Sequence, residues 1–277
     1  MSTDDLLHQE GHFSFGKNWL DYAKKIDDEK IAQATDDLRR LSGEQDLEGK
    51  SFLDIGCGSG LHALAALRLG VSLVQGVDID PDSVSAARGT LARFAPSASS
   101  SFEVCSVFDM TLDEHGAFDI VYSWGVLHHT GDMTRAIACA AELVKPGGEL
   151  YLALYRKTSF CGMWRIIKRW YSKSGPKGQK RAMGVYIFLT RLNQWIRGAG
   201  FNTYVKDYGK RRGMNFYNDA HDWLGGYPYE SISPDECRAM MTSLGFRVER
   251  EFTQRNAGFL SGLMGSGCDE YVFRRSD

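Results

Sequence analysis

Ser51-Phe52-Leu53-Asp54-Ile55-Gly56-Cys57-Gly58-Ser59-Gly60 is the stretch on which the fold turns. Its first five residues carry apolar Phe52, Leu53 and Ile55 and read as a short buried strand. Glycines follow at 56, 58 and 60, and Leu61 to Leu69 then reads as a helix closed by Gly70. Strand, glycine turn and helix open an α/β nucleotide-type site. Glycine lets the backbone turn sharply and approach a ligand with no Cβ in between. The spacing is GxGxG, whereas a dinucleotide loop wants GxGxxG, and position 61 is Leu. Asp54 sets an acid over the loop from the end of the strand.

Ser72 to Val77 reads as a second strand and ends on Asp78. An acid at that tip is placed to accept hydrogen bonds from both hydroxyls of a ribose. Through Leu53–Gly60 and Gly76-Val77-Asp78-Ile79-Asp80-Pro81 the chain resembles the class I S-adenosylmethionine-dependent methyltransferases. The resemblance implies a Rossmann-like α/β fold, with a seven-stranded sheet in the order 3-2-1-4-5-7-6, strand seven antiparallel and helices on both faces. It also implies a cofactor site holding Asp54, Gly56, Cys57, Gly58, Gly60, Asp78 and Ile79. The resemblance is firm over residues 50–155 and looser over the whole chain. The segments Phe13–Trp19, Tyr122–Thr130 and Asp222–Glu230 look like a bacterial subgroup labelled ubiquinone-biosynthesis-like methylases. Members of that subgroup are associated with cell-surface saccharide and secondary-metabolite pathways.

Further site residues follow from the same comparison. Ser101 to Val107 reads as strand three, and its end resembles the family position that holds the adenine. Ser106 or Asp109 would take the amino group and Val107 would flank the ring. Ala117 to Ser123 reads as strand four, ending in Trp124-Gly125-Val126-Leu127-His128-His129. Ligands of open α/β sheets sit at the carboxyl ends of strands, so Ser123, Trp124, His128 and His129 are expected near the transferred methyl. In the family an N-terminal segment folds over the cofactor. Here Phe15, Lys17, Asn18 and Trp19 are its candidates, with Lys17 near the methionine carboxylate.

Composition sets the frame. The 277 residues have an ordinary apolar fraction of 43% and a net charge of −2. The acidic start is unlike a signal peptide, and six scattered cysteines without a CxxC pair argue for reduced thiols in a cytoplasmic protein and against a zinc site. The near-neutral total hides an asymmetry. From Tyr151 to Lys206 there are twelve Lys and Arg and no Asp or Glu. The expected division is an N-terminal helical cap over 1–49, a cofactor-binding core over 50–155, a basic aromatic acceptor lid over 156–230, and a helix with two strands over 231–277 that complete the core. In the lid, Met163–Tyr171 reads as a helix with Trp164, Ile167, Trp170 and Tyr171 on one face and Arg165, Lys168 and Arg169 on the other. That charge admits three readings: a solvated face, steering of an anionic acceptor, or contact with an anionic membrane surface. The solvated face is the default for any charge run, and steering is the favoured functional reading.

Methyl transfer from a sulfonium is an in-line displacement, so the protein must orient the acceptor and remove a proton from it. His128 and His129, with His221 and Asp222 in the lid, are the candidate bases. Asp219, His221 and Asp222 are too sparse a set for a divalent ion, and no metal is expected. The chain is therefore expected to methylate a small molecule, on oxygen in preference to nitrogen. It lacks an Asn/Asp-Pro-Pro-Tyr-like motif after strand four, and no nucleic-acid partner is expected. The rival is a cofactor-binding partner subunit without catalysis.

Overall fold

The computed structural model of the chain describes residues 16–43, 46–212, 216–254 and 261–277. Two helices, α1 (Gly16–Ala23) and α2 (Asp28–Ser42), precede the sheet. Asp27 starts α2 by accepting the Lys30 amide, and Gly43 ends it in the left-handed conformation. The first half of the sheet alternates β1 (Ser51–Ile55), α3 (Leu61–Arg68), β2 (Leu73–Asp78), α4 (Pro81–Phe94) and β3 (Ser100–Val104). A short α5 (Leu112–His115) leads to β4 (Phe118–Trp124), a 3₁₀ turn over Leu127–His129, α6 (Met133–Glu142) and β5 (Val144–Tyr155). Four helices follow: α7 (Cys161–Lys173), α8 (Pro176–Ile196), α9 (Phe201–Arg212) and α10 (Phe216–Gly225). The chain returns to the sheet through α11 (Pro234–Ser243), β6 (Phe246–Phe252) and β7 (Cys268–Arg275).

The strand order is β3-β2-β1-β4-β5-β7-β6, as expected. β1 to β5 pair in parallel, and β7 runs antiparallel between β5 and β6. Alternation along each strand feeds two apolar layers. Leu53 and Ile55 join Ile137, Leu150 and Phe273 on one face. Phe52 joins Leu64, Val74, Ile120 and Val272 on the other. Burial of both faces explains why the central strands are nearly continuous apolar runs. The parallel arrangement brings the carboxyl ends of β1, β2, β3 and β4 to one edge, where ligands of open α/β sheets bind.

Three elements differ from the sequence reading. The apolar run Glu149–Tyr155 reads as strand five, after a helix stopped by Lys145-Pro146-Gly147-Gly148, but β5 begins at Val144, with a register shift against β4 between Phe118 and Ile120. Lys145-Pro146-Gly147-Gly148 therefore lies within that irregular strand and does not stop α6. The sequence of 211–230 is a mixture of aromatic and polar residues that reads as irregular, but it contains α10, which carries His221 and Asp222. α7 is rotated relative to the expectation: Trp164, Lys168 and Tyr171 point inward, while Ile166 and Trp170 are exposed. Residues 164, 168 and 171 are spaced by four and three, which places them on one helical face.

Candidate functional site

Gly56, Gly58 and Gly60 have φ of 78°, 49° and 74°, the left-handed region closed to most side chains. A Cβ on Gly56 would sit 2.4 Å from Val126, and one on Gly60 would sit 2.9 Å from the Ala87 backbone. The loop is thus pinned between the β4 exit and α4. The Gly56 and Cys57 amides both donate to the Val77 carbonyl, at 2.8 and 3.0 Å, which ties the β1 loop to the tip of β2. Asp78 completes that tie. Its Oδ2 accepts the Gly58 amide at 3.1 Å and its Oδ1 accepts the Asp80 amide at 2.9 Å. A carboxylate offers about four acceptor positions, so both oxygens retain capacity for two ribose hydroxyls. Burial raises the Asp78 pKa to about 6. Burial, and then the charge of Asp78, raises buried Asp54 to about 7, although the Ala63 amide in the first turn of α3 opposes this. Cys57 is buried and its thiol is pushed well up by burial. Ile79 is half-buried against the core.

The N-terminal segment closes over this loop. The Trp19 indole lies 3.0 Å from where a Gly58 Cβ would stand. The Gly16 amide donates to Asp80 Oδ2 at 3.0 Å. Asn18 Nδ2 donates to Asp222 Oδ1 at 2.6 Å, joining α1 to α10 across 204 residues. Lys17 is exposed. Phe13 and Phe15 lie outside the described residues.

On the other side of the loop the Cys105 amide donates to the Asp78 carbonyl at 3.0 Å, so the β3 exit abuts the β2 tip. Ser106 is fully buried, and its Oγ accepts the Phe108 amide at 3.2 Å; Val107 is also buried. Ser123 Oγ donates to the Ile55 carbonyl at 3.0 Å, a strand-to-strand tie. The Trp124 indole donates to Glu270 Oε1 at 3.1 Å and packs near His62, so its ring is turned toward β7 and α3. The sequence pointed to no metal ligands, yet Glu103, Cys105 and His115 offer ligand atoms within 4.8 Å of one another. There His115 Nε2 and Glu103 Oε1 lie 3.0 Å apart and satisfy each other.

The four candidate bases separate into two groups. His128 is fully buried; its Nδ1 accepts the Tyr155 amide at 3.3 Å, so the hydrogen resides on Nε2. That Nε2 is buried with no hydrogen-bond partner among the described residues. Burial, then the nearby His129 and Lys168, hold its pKa well below the usual histidine value, so His128 stays neutral. His129 has the opposite tautomer. Its Nδ1 lies 2.7 Å from the Pro228 carbonyl, to which it donates, so the lone pair is on Nε2. Gly226 permits this ring position, since a Cβ there would stand 2.7 Å from His129 Cε1. Glu230 holds the same segment in place: its amide donates to the His128 carbonyl at 3.0 Å and its carboxylate accepts the Met133 amide at 2.9 Å.

His221 and Asp222 lie on α10 and pair with α7 and α1. Tyr171, whose hydroxyl pKa burial raises to about 12, shares a hydrogen bond of 2.5 Å with His221 Nδ1. Burial lowers the His221 pKa. Asp222 is raised to about 7, first by burial, and is bound by Asn18. Asp219 accepts from the Tyr208 hydroxyl. These three residues therefore face three different partners.

Sequence reasoning missed the aromatic cage beside the histidines. Tyr155 lies against His128 with centroids 3.9 Å apart and the rings tilted by 39°, and it meets Trp223 at 5.3 Å. Lys168 is fully buried, 3.8 Å from the Trp223 ring centroid and 5.1 Å from that of Tyr229, and donates to the Trp223 carbonyl. Burial lowers its pKa to about 7. This overturns its expected place on a solvent-facing charged side. Its helical phase between Trp164 and Tyr171 is the signal that would have found it.

The left-handed glycines, the Asp78 carboxylate and the buried β3 exit fit S-adenosylmethionine. Comparisons with known proteins agree. The chain is 32% identical over 164 residues to the ubiquinone biosynthesis O-methyltransferase of Xanthomonas euvesicatoria, covering 59% of this chain and 67% of that protein. Among solved structures it is similar to the magnesium protoporphyrin IX methyltransferase of Synechocystis with bound SAH (17% identity, TM-score 0.55, 95% of this chain and 96% of that one). It is also similar to an S-adenosylmethionine-dependent methyltransferase of Mesorhizobium loti (16% identity, TM-score 0.50, 85% of this chain and 96% of that one). At those identities the likeness is one of fold. Residues 22–206 match the family described as methyltransferase domain, and the chain belongs to it, as an S-adenosylmethionine-dependent methyltransferase.

Proposed function

We propose that this chain methylates a hydroxyl oxygen of a small acceptor held between the His128–His129 turn and the lid. The observation that carries the reading is the pair of opposite tautomers in adjacent residues, whose rings lie 4.5 Å apart between centroids. His129 Nε2 carries a lone pair that takes the hydroxyl proton. His128 Nε2–H is a permanent donor that orients the oxygen, since its ring stays neutral. The Trp223 indole N–H, buried with no partner among the described residues, is a second donor on the acceptor side. When bound, the cofactor supplies an electrophilic methyl group for in-line displacement. Asp78 holds the ribose, the glycine loop admits the backbone close to it, and Trp19 covers the loop. Ser106 and Val107 border the adenine. Proton removal of this kind contributes about 10²–10⁴-fold to rate. The names of the Xanthomonas relatives support oxygen as the methylated atom, and the aromatic cage suits a flat acceptor.

The test is a tritiated-methyl survey of cell extract, with the labelled product identified by mass. An O-methylated small molecule is expected. With that acceptor, His129→Gln should lower kcat/KM about 100-fold while S-adenosylhomocysteine affinity stays unchanged. Label on nitrogen, or full activity in His129→Gln, contradicts the proposal.

A further inference from the structure

Helix α8 has an apolar face that no part of the described chain covers. Val185, Phe188, Leu189, Leu192, Trp195 and Ile196 are all exposed, Trp195 by 76% and Ile196 by 70%. At 100° per residue these six fall within an arc of about 120°, a continuous stripe. From 185 to 196 the stripe runs about 16 Å along the helix. Thr190, on the opposite arc, is the buried residue of α8, so the helix is attached by one side and presents the other outward. Scattered exposed apolar residues are ordinary on a protein surface, but a contiguous stripe of this size marks an interaction site.

Charge selects the occupant. Lys177, Lys180 and Arg181 on α8 are exposed, as are Arg165 and Arg169 on neighbouring α7, and residues 151–206, which include both helices, contain no acid. A second copy laid on this face would oppose two such surfaces of the same sign. A neutral apolar partner would leave the cations unused. An anionic bilayer satisfies both features: aromatic and aliphatic side chains enter the headgroup–acyl boundary while Lys and Arg meet lipid phosphates. No helix among the described residues is long and apolar enough to cross a membrane, so the contact is one of a helix lying on the surface. We infer that the lid docks on an anionic lipid surface through α8. This goes beyond steering of a dissolved anion, which would need the cations but not the stripe.

The test is co-sedimentation of the full chain with vesicles of phosphatidylcholine alone and of phosphatidylcholine mixed with phosphatidylglycerol. Binding is expected only to the second, and it should weaken as salt is raised. Phe188→Glu combined with Trp195→Glu should weaken that binding at least about tenfold, because both acids would enter the apolar boundary. Lys180→Glu combined with Arg181→Glu should also weaken it and reduce its salt dependence. S-adenosylhomocysteine affinity should be unchanged in both variants, which separates this inference from the oxygen-methylation proposal and reports on folding. The inference is overturned by equal binding to both vesicle types, by no binding at low salt, or by a stripe variant that binds like wild type. It is also overturned if light scattering shows a dimer that the stripe variant abolishes, or if wild type binds polyglutamate and not vesicles.

Discussion

A lysine enclosed by Trp223, Tyr229 and Tyr155 shows what a single side chain can conceal. Lys168 titrates near 7 in the folded chain because burial disfavours its charge. Its unfolded pKa is about 10.4, so between these values the unfolded chain binds more protons and stability rises with pH. Below 7 the folded chain bears the full cost of a buried ammonium. Lys168→Met lacks that titration. Its stability relative to wild type, measured by urea unfolding, should be most favourable near pH 6 and decline as pH rises from 7 toward 10. Asp54 runs the other way. Its folded pKa of about 7 exceeds the unfolded value of about 3.9, so its carboxyl group makes stability fall as pH rises from about 4 to 7. Asp54→Asn should flatten that part of the wild-type pH profile. The glycines and Asp78 were legible in the sequence because each meets a backbone demand that few other residues meet. The tautomers of His128 and His129 were not, because the Tyr155 amide and the Pro228 carbonyl that set them lie 27 and 99 residues away.

Helices α1 and α10 are joined by the hydrogen bond from Asn18 to Asp222, and Trp19 of α1 lies against Gly58 of the loop. Above pH 7, where the Asp222 carboxylate is charged, such a hydrogen bond contributes about 1.5–3 kcal/mol. Asn18→Ala should therefore weaken S-adenosylhomocysteine binding by about tenfold or more. It should also speed tryptic cleavage at exposed Lys24 and Lys25, just past α1, and saturating S-adenosylhomocysteine should slow that cleavage. Unchanged affinity and cleavage would mean that the contact is incidental. The N-terminus of α11 was readable in full, since Ser233, Pro234 and Glu236 form a capping box with proline at the first position. The helices α9 and α10 were not, because their sequences mix aromatic, charged and polar residues without a clean apolar stripe. Packing among Phe201, Tyr204, Tyr208 and Phe216 organises them instead.

At the scale of the molecule, periodicity showed that strands and helices alternate, but no local pattern states which strands are neighbours. The order of the sheet came from the resemblance of the glycine loop and the Asp78 tip to one family. The placement of β7 between β5 and β6 depends on pairing between residues more than 100 positions apart, such as Leu152 with Tyr271. The central claim is that the loop Gly56–Gly60 and Asp78 form the cofactor site of a methyltransferase. Calorimetric titration of S-adenosylhomocysteine into wild type and Asp78→Ala tests it most directly. One-to-one binding to wild type, weakened at least about tenfold in the variant, is expected from the loss of charge-assisted hydrogen bonds. No binding to wild type, or equal affinity in both proteins, would contradict it.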